Sequence, residues 1–109
     1  MDKSEVQSIA FQLIGKAGEA YDHFYKAIEC SKQQDFDGAE EEIKQGNEKL
    51  NAAHKSQTKL LTAEANEEDI AFSIILIHAQ DHLMGTIMFE RIAKEFIELY
   101  RERDGNKNG

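Results

Sequence analysis

Apolar residues recur at gaps of three and four along most of this chain, and that spacing predicts three long helices. The first opens at Ser4, with Gln7 three residues on in a capping-box pattern. Val6, Ile9, Ala10, Leu13, Ala17, Ala20, Tyr21, Phe24, Ala27 and Ile28 mark its apolar face, which fades near Lys32 to Gln34. The second opens at Asp37, with Glu40 completing another capping pattern. Its stripe is Ala39, Ile43, Gly46, Leu50, Ala53, Gln57 and Leu60, a heptad spacing whose small residues imply close helix packing. Asn66 is the expected stop, because asparagine tolerates the left-handed conformation after a helix. The third is expected to start directly after Asn66, with Glu67, Glu68 and Asp69 in a first turn where the helix dipole favours acid. It is expected to reach about Arg101 or Arg103. The polar stretch from Asp104 to Gly109 then reads as a frayed tail on a domain of residues 1–103.

The third helix carries two apolar seams. One is Ala71, Ile75, His78, His82, Gly85, Phe89, Ile92, Phe96 and Leu99. The other is Ile70, Ile74, Ile77, Asp81, Met84 and Met88, turning polar at Arg91 and Glu95. A helix facing two partners in a three-helix monomer needs one seam. A second seam suggests a further neighbour, most simply another copy of the chain, with a single broad face as the alternative. The expected fold is all-α, an antiparallel up-down three-helix bundle that self-associates.

Composition narrows the function. A chain of 109 residues is one domain by default, and 40% apolar with 31% charged residues is ordinary for a globular helical protein. A net charge of -8 disfavours nucleic acid and anionic membranes and suits a basic protein partner. One cysteine, Cys30, excludes an intrachain disulfide and fits a reducing compartment. Met1 to Glu5 lacks a signal pattern, and the apolar run Ile70 to Ile77 is too short to span a bilayer, so a cytoplasmic location is expected.

The candidate chemistry lies within five residues of the third helix. His78 and His82 are four apart and share one face, and Asp81 lies on the neighbouring seam. All three occupy positions where the stripes predict apolar residues, and burying them costs free energy unless they are paired or liganded. No serine or cysteine with a base is nearby, and no phosphate-cradling glycine loop is present. Paired histidines can ligate zinc, but Ala79 stands where the metalloprotease pattern requires glutamate. Phosphorylation of His78 is a second option, since neutral imidazole is a good nucleophile near pH 7 and His82 can then donate to the phosphate. Gly85, one turn on, leaves room for a bulky group or a partner. Asp81 has no lysine or arginine three or four residues away. Copies of it converging on a symmetry axis would have to be protonated or share a divalent ion, and otherwise it orients His78 or is solvated. His23 and His54 read as structural or exposed. A helical adaptor or histidine-based metal-binding bundle without catalysis remains the rival, with zinc affinity depending on both His78 and His82.

The segment Leu76-Ile77-His78-Ala79-Gln80-Asp81-His82-Leu83-Met84 resembles the signature of the enzyme IIA components of the lactose/cellobiose (chitobiose) class of the bacterial sugar phosphotransferase system. Ala53-His54, Gln57-Thr58, Leu60 and Glu64-Ala65 agree with it, and the likeness runs from about Val6 to Arg101. Tyr21, Asp22 and Lys26 depart from it, standing where a more basic, then small, then acidic pattern is expected. The resemblance implies a homotrimer. It implies that His78 accepts a phosphoryl group through Nε2 from the phosphohistidine carrier protein, with His82 and Gln80 as supports. The group then passes to a cysteine of the cognate enzyme IIB and on to a β-linked disaccharide entering through the membrane component IIC. It further implies a magnesium ion at the trimer axis, held by one Asp81 from each subunit.

Overall fold

The computed structural model describes the backbone of residues 1–108 and the side chains of residues 1–105. Three helices form an elongated bundle of 60 × 20 × 19 Å: α1 (Lys3–Lys32), α2 (Phe36–Ala65) and α3 (Ile74–Asn108). The all-α three-helix expectation holds. α1 packs along both of the others, whereas α2 and α3 touch each other little.

Both helix starts move upstream of the capping boxes read from sequence. Asp2 caps α1, accepting from the Glu5 backbone N–H at 2.8 Å, and Asp35 caps α2, accepting from the Gly38 N–H at 3.0 Å. A carboxylate two residues upstream of Ser4 and of Asp37 takes over the capping role each was expected to play.

Both turns close in the same way. Gln34 and Glu67 sit in the left-handed region, at φ of 64° and 60°. In each case the next N–H returns to a carbonyl five residues back, Asp35 to Cys30 at 2.9 Å and Glu68 to Ala63 at 3.0 Å. This is the Schellman arrangement. Asn66 is indeed the cap of α2, but its φ is -86°, and the left-handed residue is Glu67. That closure turns the chain away from the α2 axis, so Glu67, Glu68 and Asp69 form a connection and not the first turn of a helix. α3 starts at Ile74, where the Ser73 carbonyl accepts from the Ile77 N–H at 3.3 Å. At the other end α3 continues through Asn108, past the expected stop near Arg103. Gly109 of the expected tail lies outside the described residues.

The core forms where α1 is covered from two sides. Its buried residues are those of the predicted stripe without Tyr21, which is exposed, and with Ser31 added at the C-terminal end. On α2 the stripe is small, and Phe24 of α1, fully buried, lies directly over Gly46. Polar links reinforce this contact, with His23 Nδ1 2.6 Å from Glu42 Oε2 and Lys49 Nζ 3.2 Å from Glu19. At the far end Arg101 of α3 pairs with Glu40 and lies 5.5 Å from the centre of the Phe36 ring.

The face α3 turns to α1 is neither of the two seams. It is a third stripe, Ala79, Leu83, Thr86, Ala93 and Ile97, all buried. Short side chains let the helix backbones approach, and the Thr86 hydroxyl, 1% exposed, lies 3.3 Å from the Ala17 carbonyl of α1. The seam through Asp81 is left in solvent, with Ile74 77%, Ile77 54%, Met84 59% and Met88 64% exposed. In the other seam Ile92, Phe96 and Leu99 are exposed, while Ile75 and Phe89 are partly covered.

A Cβ at Gly46 would fall within 3.0 Å of three Phe24 ring atoms, and the enclosed ring has no room to swing. Overpacking of this kind costs about 1–3 kcal/mol, against about 1 kcal/mol of helix propensity gained over glycine. Gly46→Ala is therefore expected to lower stability by about 1 kcal/mol in denaturant titration. Combining it with Phe24→Leu should cost less than the sum of the two single changes.

Candidate functional site

The buried stripe of α3 decides which side chains face outward. Ala79 and Leu83 are both fully buried and clamp the helix onto α1. The residues between and beside them, His78, Asp81, His82 and Gly85, are consequently exposed. These four line an open depression of about 310 Å³ with Thr86, and Tyr21 closes it from α1. The His78 and His82 rings meet edge to face, 5.4 Å between centroids at 81°.

Two sequence expectations change here. The three polar residues do not intrude on an intrachain core, because the stripe that docks on α1 is a different one. Nor do the two seams keep Asp81 apart from the histidines, since all three border one depression. No hydrogen bond joins Asp81 to either imidazole among the described residues. Gln80 is half-buried and does not line the depression. The later start of α3 puts His78 in the second turn of the helix, close to its positively polarised end.

Tyr21 and Thr86 were not singled out for the site by sequence reasoning. Tyr21 belongs to the apolar stripe of α1 and only its partial exposure reveals the second role. Thr86 follows Leu83 by three residues, a spacing visible only once the true buried stripe is known. Its Oγ1 also lies 2.9 Å from the His82 carbonyl, one turn back.

The remaining reactive groups are elsewhere. His23 is tied to Glu42, and His54 is exposed with its carbonyl accepting from Thr58 Oγ1 at 2.9 Å. Burial pushes the Cys30 thiol up from its ordinary value, and Asp35, Glu42 and Glu29 push it the same way. Thiolate is the reactive form, so this cysteine is a poor nucleophile. Among the described residues no three histidine, cysteine, aspartate or glutamate side chains gather into a metal-binding group within one chain. A closed zinc site takes four ligands, more than His78 and His82 supply alone. No helix among the described residues is long and apolar enough to cross a membrane.

An exposed histidine pair on a long helix, in a bundle whose outer apolar seams are uncovered, fits a protein that docks others at an imidazole. The family model for the lactose/cellobiose-specific IIA subunit of the phosphotransferase system matches residues 8–101. A lactose-specific EIIA component from Staphylococcus epidermidis is 43% identical over 102 residues, 94% of this chain and 98% of its own length. The crystal structure of the cellobiose-specific enzyme IIA from Bacillus anthracis superposes with a TM-score of 0.90 at 38% identity, over 96% of this chain and 94% of that one. A solution structure of Escherichia coli IIA(Chitobiose) in complex with HPr matches with a TM-score of 0.79 at 33% identity, over 95% of this chain and 99% of that one. The chain belongs to the lactose/cellobiose-specific IIA subunits of the sugar phosphotransferase system.

The raised thiol gives a direct check on where nucleophilicity resides. Alkylation of Cys30 at pH 8 is expected to run slower than that of free cysteine, rising to the free rate in denaturant. Equal rates in the folded protein would contradict the burial described here.

Proposed function

We propose that this chain is a phosphocarrier in which His78 takes a phosphoryl group from the phosphohistidine carrier protein and hands it to a cysteine of the cognate enzyme IIB. The observation that supports this most is the exposed His78–His82 pair bordering an open depression, in a chain of this family. The Nε2 lone pair of His78 attacks phosphorus, and the P–N bond to the carrier breaks with its electron pair returning to the carrier's imidazole. In the second transfer the IIB thiolate attacks, and the pair of the breaking P–N bond returns to His78. Such transfers need positioning and charge stabilisation more than covalent machinery. His82 serves as a donor to the phosphoryl oxygens; Gln80, which lies outside the depression, is left to support the group indirectly. The sugar is a β-linked disaccharide of the lactose, cellobiose or chitobiose type, entering through the membrane component IIC. The open shape suits two partners docking in turn, and the similar E. coli protein bound to HPr supports the first of them.

The working form is a homotrimer in the cytoplasm, with the exposed apolar row of α3 that contains Asp81 covered by the other copies. Ile74, Ile77, Met84 and Met88 leave a row of apolar side chains in solvent, the kind of surface that marks contact with another protein. Asp81 sits on the outer seam and brings one carboxylate per chain. A hard divalent cation takes six or more oxygens, so three converging carboxylates completed by water suit magnesium where a single chain does not. The ion's role there is neutralisation of like charges at the axis, and Asp81 is the residue that would hold it.

Incubation with phosphoenolpyruvate, enzyme I and the carrier protein is expected to add one acid-labile phosphate per chain. His78→Ala should take up none, and full labelling of that variant would overturn the assignment. A chain that binds zinc through His78 and His82 but takes up no phosphate would favour the metal-binding bundle.

For assembly, Asp81→Leu is expected to stay oligomeric in light scattering without magnesium, because apolar groups replace carboxylates that repel one another. A wild-type monomer at high concentration with magnesium would refute the shared ion.

A further inference from the structure

Five of the six residues around the depression come from α3, and Tyr21 alone comes from α1. Its ring stacks on Phe89, with centroids 4.3 Å apart and planes 19° from parallel, yet 42% of the residue is exposed. Phe89 lies one turn beyond Gly85 and outside the depression. The ring is thus held by Phe89 while Tyr21 borders the depression that the histidines line. Stacking fixes its plane and limits its rotamers, so little ordering entropy remains to be lost when the hydroxyl engages a ligand.

A phosphoryl group on His78 brings up to two negative charges and three acceptor oxygens. Among the described residues no lysine or arginine lines the depression. The Asp81 carboxylate repels the group, and Gly85 offers no side chain. Thr86 is buried at 1% exposure, and its hydroxyl faces the carbonyls of Ala17 and His82 at 3.3 and 2.9 Å. Of the six lining residues, only His82 and Tyr21 remain able to turn a side-chain donor toward the phosphate.

We propose that Tyr21 is a phosphoryl-positioning residue, its hydroxyl donating to a phosphoryl oxygen on His78 from the α1 side of the depression. This rests on the phosphocarrier reading above. The donor stabilises the dianionic phosphoryl form over the protonated one, so it also slows loss of phosphate by acid-assisted hydrolysis.

The full-length chain, its Tyr21→Phe variant and its Tyr21→Leu variant are phosphorylated with phosphoenolpyruvate, enzyme I and the carrier protein. Tyr21→Phe keeps the ring on Phe89 and should take up one phosphate on His78, as the wild type does. Its phosphorylated form should lose phosphate about three- to tenfold faster at neutral pH, the scale of one partly exposed hydrogen bond to a charged acceptor. The phosphorus resonance of the phosphohistidine should titrate at a higher pH in Tyr21→Phe than in the wild type. Tyr21→Leu lacks both ring and hydroxyl and should titrate as Tyr21→Phe does, which a purely structural role of the ring would not produce. Wild-type lifetime and titration in a fully labelled Tyr21→Phe would overturn the assignment while leaving His78 as acceptor. Failure of the wild type itself to label would overturn the phosphocarrier reading, and this proposal with it.

Discussion

The bundle depends on α1 being buried from two sides at once. Phe24 settles over the bare backbone of Gly46 on one side, and Ala79, Leu83 and Thr86 press close on the other. Each contact uses absence of side-chain bulk to bring backbones together, which gives dense packing without long side chains on every helix. α2 and α3 contribute little to each other directly, so their relative placement is inherited through α1. The site reflects this arrangement: α3 carries the histidines, α1 contributes Tyr21, and α2 supplies none of the lining residues.

The first two helices were legible because each has one apolar stripe and one solvated side. There the predicted faces match the buried ones, with Tyr21 the exception on α1 and Ile43 and Gln57 half-buried on α2. Their boundaries shifted by one or two residues, since aspartates just upstream did the capping and non-glycine residues adopted the left-handed turns. α3 resisted the same logic. Its apolar residues are spread over several faces, and the richest rows, through Ile77 and Met84 or through Phe96 and Leu99, are exposed. The docking stripe is marked by alanine and threonine, which hydrophobicity ranks low although shape complementarity selects them. Periodicity reports how apolar a face is and not which partner covers it.

At the site, His78 and His82 were readable from their spacing and from the family resemblance, and the structure adds their edge-to-face approach and exposure. The start of α3 was missed because three acids in a row look like a dipole-favoured first turn. The preceding Schellman closure at Glu67 depends on backbone geometry that side-chain chemistry did not announce. Tyr21 was invisible as a site residue for a different reason. It comes from another helix, and only tertiary packing brings it beside residues that are about sixty positions away.

A pocket whose lining holds no lysine or arginine grips a phosphate with neutral donors or an imidazole. A guanidinium clamp pairs opposite charges through two parallel hydrogen bonds, so it would hold the group in a deeper well than single neutral donors do. Binding energy spent there would be subtracted from the free energy available for the next transfer. On the phosphocarrier reading proposed above, a phosphohistidine at position 78 would keep more of its group-transfer potential under this weaker grip, and flow through the chain would stay reversible and responsive to the loading of the proteins on either side.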